Sequence, residues 1–302
     1  MQPRPVKGEM NLVKLIEQFG SEDRCRAYLE ELRWPGGVAC PRCGLKSVSR
    51  LAGRDQFDCN ACRYQFSVTS GTIFHDTHLP LWKWVLATYI VCESKKGVSA
   101  NQIGRTLSVS YKTAWYLCHR IREAVKTAEN APQLAGVVEV DETFVGGRRR
   151  HVGKGYVGNK TIAAGVVQRD GMIRLQTLLN RDRPALHAFI RQHVAPHAEA
   201  IYTDEHPAYG DLSDENTRHE KVDHRHEEWV RGDVHTNSAE SVWSLLERSI
   251  IGSFHHVSAK HLDRYLDELE WRFNNRQNPF LFRDTLKDLL KAESLKYKDL
   301  TA

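Results

Sequence analysis

The sequence lacks an apolar stretch long enough to cross a bilayer. The longest one, Leu81 to Cys92, is shorter than the roughly 20 residues required and contains Lys83. The first ten residues lack the apolar core and the small-residue cleavage site of a secretion signal. Internal repeats and low-complexity segments are also missing. We therefore expect a cytoplasmic protein that has no membrane as a partner.

The composition is that of an ordinary soluble globular protein. Hydrophobic residues occupy 41% of the 302 positions and charged residues 27%, which excludes wholesale disorder, a collagen and a coiled-coil rod. A chain of this length is typical of two or more domains. The net charge of +5 is uneven, with +7 over residues 1–130 and −2 over residues 131–302. Since many protein surfaces are mildly basic, this excess indicates nucleic-acid binding only where motifs support it.

Hydrophobic periodicity predicts five consecutive segments. They are a helical lead-in over 1–36, a cysteine-bearing ribbon of small hairpins over 37–75, a helical domain over 76–132, an α/β domain over 133–278 and a C-terminal helix over 279–302. In the α/β domain the pattern predicts strands over 137–145, 160–168, 172–179 and 199–204, and helices over 184–194, 238–251 and 259–274. The last helix is predicted near 280–296.

Four of the seven cysteines have the spacing of a metal site, C-x2-C-x15-C-x2-C. They are Cys40, Cys43, Cys59 and Cys62. Two such pairs can place four thiolates tetrahedrally around Zn²⁺, and a closed four-thiolate site is structural and not catalytic. In a reducing compartment disulfides are not expected. The other three cysteines lie at apolar helical positions and are predicted to be core residues.

Residues 99–125 predict a pair of helices joined by a tight turn. Ser99 begins a capping box, and Ser110 can cap a second helix that starts at Tyr111. The apolar stripe of the second helix leaves polar side chains for the surface, namely Lys112, Thr113, Tyr116, Arg120 and Arg122. This pattern suits a helix-turn-helix whose second helix enters a major groove, and the alternative is a three-helix packing unit without a DNA role. The position after the cysteine ribbon favours DNA binding.

Three acidic residues, far apart in the sequence, form a candidate catalytic set. Asp141 lies in an apolar, β-branched strand, Asp204 follows a second strand, and Glu240 lies in the first turn of a helix. Two divalent cations that clamp a phosphoryl-transfer reaction need several carboxylate oxygens on rigid elements. The alternatives are a strand-end residue at Asp141, a turn former at Asp204 and a capping box formed by Asn237 with Glu240. Glu142 should face away from Asp141 if the strand is regular.

Several segments of the chain resemble the DDE transposases of bacterial insertion sequences, in the zinc-ribbon group with an ISXO-like transposase domain. The resemblance runs from Tyr28-Leu-Glu-Glu-Leu-Arg-Trp-Pro-Gly-Gly-Val-Ala-Cys-Pro-Arg-Cys43 through Val140-Asp-Glu-Thr-Phe-Val-Gly-Gly147 and Thr203-Asp-Glu-His-Pro-Ala-Tyr209 to His235-Thr-Asn-Ser-Ala-Glu-Ser-Val-Trp-Ser-Leu-Leu-Glu-Arg248. It also includes His255-His-Val-Ser and Arg272-Phe-Asn-Asn-Arg276.

This resemblance implies a ribonuclease-H-like mixed-sheet catalytic core, dependence on Mg²⁺ or Mn²⁺, and cut-and-insert chemistry on the terminal inverted repeats of an element. Asp141 and Asp204 match the first two metal ligands. The third is Glu240 or Asn237, and we favour Glu240 because a carboxylate binds a hard dication better than an amide does. Arg248 matches the basic partner on that helix. The partners implied are double-stranded DNA, as transposon ends and target, and further copies of the chain in a homo-oligomer on DNA.

Residues 146–160 contain five basic residues and no acidic one. We interpret this segment as an arm that binds DNA phosphate through Arg148, Arg149, Arg150 and Lys154. The alternative is a solvated hairpin tip. For the whole chain, one alternative function is a catalytically inactive or domesticated sequence-specific DNA-binding regulator, and another is a structure-specific nuclease on the same core.

Overall fold

The computed structural model describes residues 10–146, 160–213, 217–223, 226 and 228–302. The basic arm residues Arg148, Arg149, Arg150 and Lys154 lie outside the described residues. The chain divides into two compact units, one formed by Met1–Val125 together with Gln277–Ala302 and the other by Lys126–Arg276. Within the described ranges, no helix has the length and apolar character needed to cross a membrane.

The first unit consists of seven helices and a small sheet among its described residues. The helices are α1 (Leu12–Phe19), α2 (Glu22–Arg33), α3 (Leu81–Glu93), α4 (Ala100–Leu107), α5 (Tyr111–Val125), α9 (Leu281–Lys291) and α10 (Tyr297–Thr301). The sheet has three antiparallel strands in the order β1 (Val48–Arg50), β2 (Phe57–Cys59) and β3 (Gln65–Phe66). Phe57, Phe66 and the partly buried Trp34 pack beside the cysteines, so the ribbon has an aromatic core of its own.

The predicted helix pair is present as α4 and α5. Ser99 and Ser110 cap them, with their hydroxyls accepting from the backbone N–H groups of Gln102 and Thr113 at 3.2 Å. Only the first turn of α5 is exposed, since residues 117–122 are all buried. The α5 helix is therefore the central helix of this unit for most of its length.

The second unit is built on a mixed five-stranded sheet. Its strands are β4 (Val137–Val145), β5 (Thr161–Gln168), β6 (Ile173–Leu178), β7 (Ala200–Thr203) and β8 (Arg218–Lys221), and its helices are α6 (Arg183–His193), α7 (Asn237–Ser249) and α8 (Leu262–Asn274). The strand order is β6-β5-β4-β7-β8. The β4, β5 and β6 strands are antiparallel, whereas β4 pairs with β7, and β7 with β8, in parallel. This confirms the expected α/β class with a mixed sheet.

Each face of this sheet buries a separate apolar cluster. On one face, Val138 and Val140 of β4 pack in a cluster with Leu186 and Phe189 of α6. On the other face, Ala163 of β5 packs with α7 and α8. Because side chains alternate along a strand, odd-numbered residues of β4 point toward α7 and even-numbered ones toward α6. This alternation positions the acidic residues of β4.

The expected helical lead-in consists of two helices, because α1 ends at Phe19 and Ser21 caps α2 through the N–H of Arg24 at 3.3 Å. The structure differs from the expected elements in two places. The last helix ends at Lys291, and Tyr297–Thr301 is separate. The β8 strand was not predicted, because its sequence, Arg-His-Glu-Lys, lacks the alternation of apolar and polar residues that signals a strand.

Candidate functional site

Asp141 and Asp204 lie side by side at one edge of the parallel strand pair. The β4 and β7 strands are in register at Glu139 and Tyr202, and two residues further each strand reaches its aspartate. Asp204 ends its strand in a turn, with Oδ1 accepting from the N–H of His206 at 2.9 Å. The two carboxylates are close enough for Asp204 to raise the pKa of Asp141.

Burial first, and then the charges of Glu142 and Asp204, raise the pKa of Asp141 to about 7. The indole Nε1–H of Trp243 donates to Asp141 Oδ2 at 3.0 Å and opposes this rise in the pKa. Among the described residues, no basic nitrogen forms an ion pair with Asp141. A partly buried carboxylate beside like charges is costly to ionise unless a cation compensates it. The donor set therefore fits a divalent cation.

Glu142 faces away from Asp141, as predicted, and belongs to the α6 face of the sheet. It accepts a hydrogen bond from the hydroxyl of the buried Tyr209, and Arg181 Nη1 lies 3.0 Å from its Oε1. Burial is the largest cause of its raised pKa, and Asp204 contributes. Glu142 therefore has its own hydrogen-bond and ion-pair partners on the α6 face of the sheet.

Glu240 is exposed in the first turn of α7, and Asn237 is the first residue of that helix. Thr236 occupies the N-cap position and its side chain makes no capping hydrogen bond, so the alternative of an Asn237 capping box is wrong. Glu240 lines an open groove of about 690 Å³ with Trp243, Lys160 and His255. Arg248 is exposed at the other end of the helix, where its guanidinium contacts the hydroxyl of Ser244.

The buried Glu139 caps α7 from the sheet. It lies two residues before Asp141 on the same face, and its side chain is 0% exposed. Its Oε2 accepts from the N–H groups of Ser238 at 2.7 Å and Ala239 at 3.1 Å. Arg169 Nε donates to its Oε1 at 3.0 Å, and His235 Nδ1 lies 3.3 Å away without hydrogen-bond geometry. The strand that carries Asp141 is thereby joined to the helix that carries Glu240.

The three candidate carboxylates are not gathered as tightly as a closed metal cluster. Among the described residues, only the four cysteines form a group of three or more potential ligands whose atoms all lie within 4.8 Å of one another. A pair of cations about 4 Å apart, each about 2.1 Å from its ligands, allows ligand atoms on opposite ends to be about 8 Å apart. Two cations therefore do not require the ligand atoms of Asp141, Asp204 and Glu240 to lie within 4.8 Å of one another.

The four cysteines of the ribbon converge as the spacing predicts. The Sγ atoms of Cys40 and Cys62, and those of Cys43 and Cys59, are 3.6 Å apart. A tetrahedron with Zn–S bonds of about 2.3 Å has edges of about 3.8 Å, so the cluster fits Zn²⁺. Backbone N–H groups, that of Cys62 first, lower the pKa of the Cys59 thiol to about 7. Zinc binding needs thiolates, and this group supplies one near neutral pH.

The proposed recognition helix presents fewer surface residues than the sequence indicated. Lys112 and Thr113 are exposed, and Tyr116 is half-buried with its hydroxyl donating to the carbonyl of Leu295. The expectation that Arg120 and Arg122 lie on the surface is wrong, because each is only 4% exposed. The Arg120 guanidinium donates to the carbonyl oxygens of Ile73 and, at 2.9 Å, His75. It holds a loop in place and is not available to DNA.

Comparison with known proteins identifies the family. Residues 133–274 match the model of the ISXO2-like transposase domain, and residues 20–65 match that of the transposase zinc-ribbon domain. An uncharacterized protein in transposable element ISH50 of Halobacterium salinarum is 30% identical over 92% of this chain and 98% of its own length. The chain belongs to the ISXO2-like transposase family. The resemblance seen in the sequence is thus confirmed.

A solved structure of a pre-cleavage Mos1 transpososome also matches this transposase. It is 13% identical, covers 68% of this chain and 78% of its own, and has a TM-score of 0.24.

Two residues that contact the candidate site were missed in the sequence, namely Glu139 and Trp243. Glu139 lies two positions before Asp141, so the alternation of the strand already placed it on the same face. Trp243 lies three positions after Glu240 and therefore on the same side of α7. The spacing of each residue from a candidate ligand therefore placed it on the correct face, but a glutamate or a tryptophan at these positions did not by itself indicate a contact with the site.

Proposed function

We propose that this transposase binds the terminal inverted repeats of an insertion sequence and catalyses phosphodiester hydrolysis followed by strand transfer. The observation that carries the proposal is the Asp141–Asp204 pair. Two neighbouring carboxylates, Asp141 within β4 and Asp204 directly after the parallel strand β7, favour a divalent cation as their counter-charge, since Asp141 has a raised pKa and no basic partner among the described residues.

In this proposal Asp141, Asp204 and Glu240 hold Mg²⁺ or Mn²⁺, and Asn237 is the alternative third ligand. When bound, the cations activate the attacking hydroxyl and neutralise charge on the phosphate. Glu139 keeps the N-terminus of α7, and with it Glu240, beside the strand of Asp141. Water is the nucleophile in the first step, and the 3′ hydroxyl of the cut end is the nucleophile in the second. No covalent bond to the protein is required.

DNA binding is assigned to both units. The α4–α5 pair acts as a helix-turn-helix whose exposed first turn, Lys112 and Thr113, reads the transposon end, and Tyr116 contributes at its edge. Arg248, and the arm residues that the sequence predicts as DNA-binding, bind DNA phosphate. Because two ends have to be brought together, the active species is a homo-oligomer on double-stranded DNA.

The test is an incubation of the purified full chain with Mg²⁺, labelled end DNA and a target plasmid. We expect cut ends and end–plasmid joints with the wild type, and neither product with Asp141→Asn. The matched control is Asp170→Asn, an exposed turn residue of the same unit, which should retain both products. End binding should survive in both variants.

The other outcomes separate the alternative functions. End binding without any cleavage by the wild type would favour the inactive or domesticated regulator. Cleavage without plasmid joints would favour the structure-specific nuclease. Full cleavage by Asp141→Asn would overturn the assignment of the site.

A further inference from the structure

The indole of Trp243 is the polar contact between α7 and the Asp141 carboxylate. Trp243 lies about one turn beyond Glu240, and its Nε1–H donates to Asp141 Oδ2 at 3.0 Å. An indole N–H is a donor only and carries no charge. It therefore fixes one oxygen of Asp141 without supplying a cation that would compete with a metal, and it leaves Oδ1 free of this bond.

The neighbouring strand is shaped to receive this ring. Gly165 of β5 is the register partner of Asp141. A Cβ atom at Gly165 would lie 2.9 Å from both Cη2 and Cζ2 of Trp243 and 3.0 Å from a methyl carbon of Leu175. Contacts this short do not occur between real side chains, and the ring is too rigid to move aside without rotating as a whole. Glycine at position 165 is thus what allows the indole to occupy its place.

Packing alone would not require this arrangement. A phenylalanine could contribute the same kind of apolar contact to the α7–α8 face, where Trp243 packs beside Val242 and Leu246. What the indole adds is a side-chain hydrogen bond to a carboxylate whose charged neighbours, Glu142 and Asp204, are both acidic. Groups that orient a metal ligand in this manner commonly change metal affinity or activity by about 10–100-fold when they are removed.

We propose that Trp243 is a positioning residue that orients Asp141 for metal binding, and that Gly165 provides the space for its ring. This inference rests on the proposed function, since it assigns Asp141 as a metal ligand. Trp243 and Gly165 are thereby added to the candidate site as the residues that hold the Asp141 carboxylate in place. Gly165 lies on β5, the strand paired with Asp141, and Trp243 lies on α7, the helix that carries Glu240.

The test uses three changes in the full chain. Trp243→Phe removes the N–H and keeps an aromatic ring. Replacing Trp243 with benzothienylalanine, in which sulfur takes the place of the N–H, removes the donor with almost no change in shape. Gly165→Ala keeps the indole and displaces it. The control is Trp229→Phe, which changes an exposed tryptophan in the same unit.

Two quantities are measured, namely Mn²⁺ binding without DNA, from the electron paramagnetic resonance signal of free Mn²⁺, and the end-cleavage rate as a function of Mn²⁺ concentration. We expect each of the three changes to weaken Asp141-dependent Mn²⁺ binding by about 10-fold or more. The rate should fall at limiting Mn²⁺ and recover in large part at high Mn²⁺. Trp229→Phe should match the wild type in both.

The outcomes distinguish this inference from the proposed function. If Asp141→Asn removes a Mn²⁺ site but the benzothienylalanine protein binds Mn²⁺ within two-fold of the wild type, the positioning role of Trp243 is overturned and the proposed function stands. If the wild type has no Mn²⁺ site that depends on Asp141, the assignment of Asp141 fails and this inference fails with it. Thermal unfolding of each variant shows that the comparison is made between folded proteins.

Discussion

The carboxylate of Glu139 closes the N-terminus of the helix that begins at Asn237. It accepts the N–H groups of Ser238 and Ala239, which would otherwise have no partner within the helix. A negative charge at this position also interacts favourably with the helix dipole. A single buried side chain of β4 therefore determines where α7 starts, and so where Glu240 lies relative to Asp141.

We expect Glu139→Gln to destabilise the second unit strongly. The substitution places the side-chain NH₂ group of glutamine beside the N–H donors of Ser238 and Ala239, and it leaves Arg169 without its buried counter-charge. Changes of this kind lower the free energy of unfolding by about 3–5 kcal/mol. The free energy of unfolding from denaturant titration measures it, and faster amide exchange at Ser238 and Ala239 would localise it. Glu199→Gln, at an exposed glutamate of the same unit, should stay within about 0.5 kcal/mol of the wild type. A stability equal to that of the control would show that Glu139 does not cap the helix.

The sequence predicted most of the fold and the identity of the candidate ligands, but not how they are held. The strand over 137–145 matches the observed bounds of β4, because its β-branched residues are an unambiguous signal. Asp141 and Asp204 could be recognised in the sequence because a carboxylate in or directly after an apolar strand needs a cation to compensate its charge. By contrast, the burial of Arg120 could not be read from helical periodicity, since it depends on carbonyl oxygens of residues 73 and 75 that only the tertiary fold brings near.

Asp141→Asn should stabilise the metal-free protein at alkaline pH while abolishing cleavage. The pKa of Asp141 is raised to about 7 in the folded chain and returns to about 3.9 on unfolding, so the folded state binds the extra proton between these values. The stability contributed by this group is present below the lower pKa and is lost as the pH rises through 7. The Asn variant avoids the loss.

Thermal unfolding at pH 8 and pH 4 in the presence of a chelator checks this expectation. The Tm of Asp141→Asn should exceed that of the wild type at pH 8, by about 2–4 °C for each kcal/mol, and the difference should vanish near pH 4. Saturating Mg²⁺ should reverse the order by stabilising the wild type. Asp170→Asn, as the control, should follow the wild type throughout. A lower Tm for Asp141→Asn at pH 8 would contradict the raised pKa.

Cys43→Ser should release the zinc of the ribbon and unfold that segment. With only a small aromatic core around Phe57 and Phe66, the ribbon depends on its metal, as other small zinc modules do. Elemental analysis should give close to one zinc per chain for the wild type and for Cys92→Ser, which changes a cysteine outside the cluster. Zinc affinity should also fall as the pH decreases, because protons compete with zinc for the thiolates. Full zinc content in Cys43→Ser would contradict a four-thiolate site.

Lys112→Ala and Arg120→Ala should have opposite consequences. Lys112 is exposed, so its removal should leave stability within about 0.5 kcal/mol while weakening DNA binding and reducing the salt dependence of log K by about 0.9. Arg120 is buried against two carbonyl oxygens and lies 4.8 Å from the Trp84 ring, so its removal should cost about 2 kcal/mol or more of stability. Denaturant titration and DNA titrations at several salt concentrations separate the two effects. A stable Arg120→Ala protein with impaired DNA binding would restore Arg120 to the interface.

The choice between Glu240 and Asn237 as third ligand can be decided on α7 itself. Both side chains are exposed in the first turn, so neither Glu240→Gln nor Asn237→Ala should change stability by more than about 1 kcal/mol, and a loss of activity will report on chemistry. We expect Glu240→Gln to lower the cleavage rate by about 100-fold or more, because an amide oxygen is a weaker ligand for a hard dication. Asn237→Ala should change the rate only a few-fold. Glu247→Gln removes a negative charge from the same groove, two turns further along the helix, and so tests whether loss of charge alone lowers the cleavage rate. If Asn237→Ala is the inactive variant and Glu240→Gln is active, the amide is the ligand, and the carboxylate contributes only to the local field.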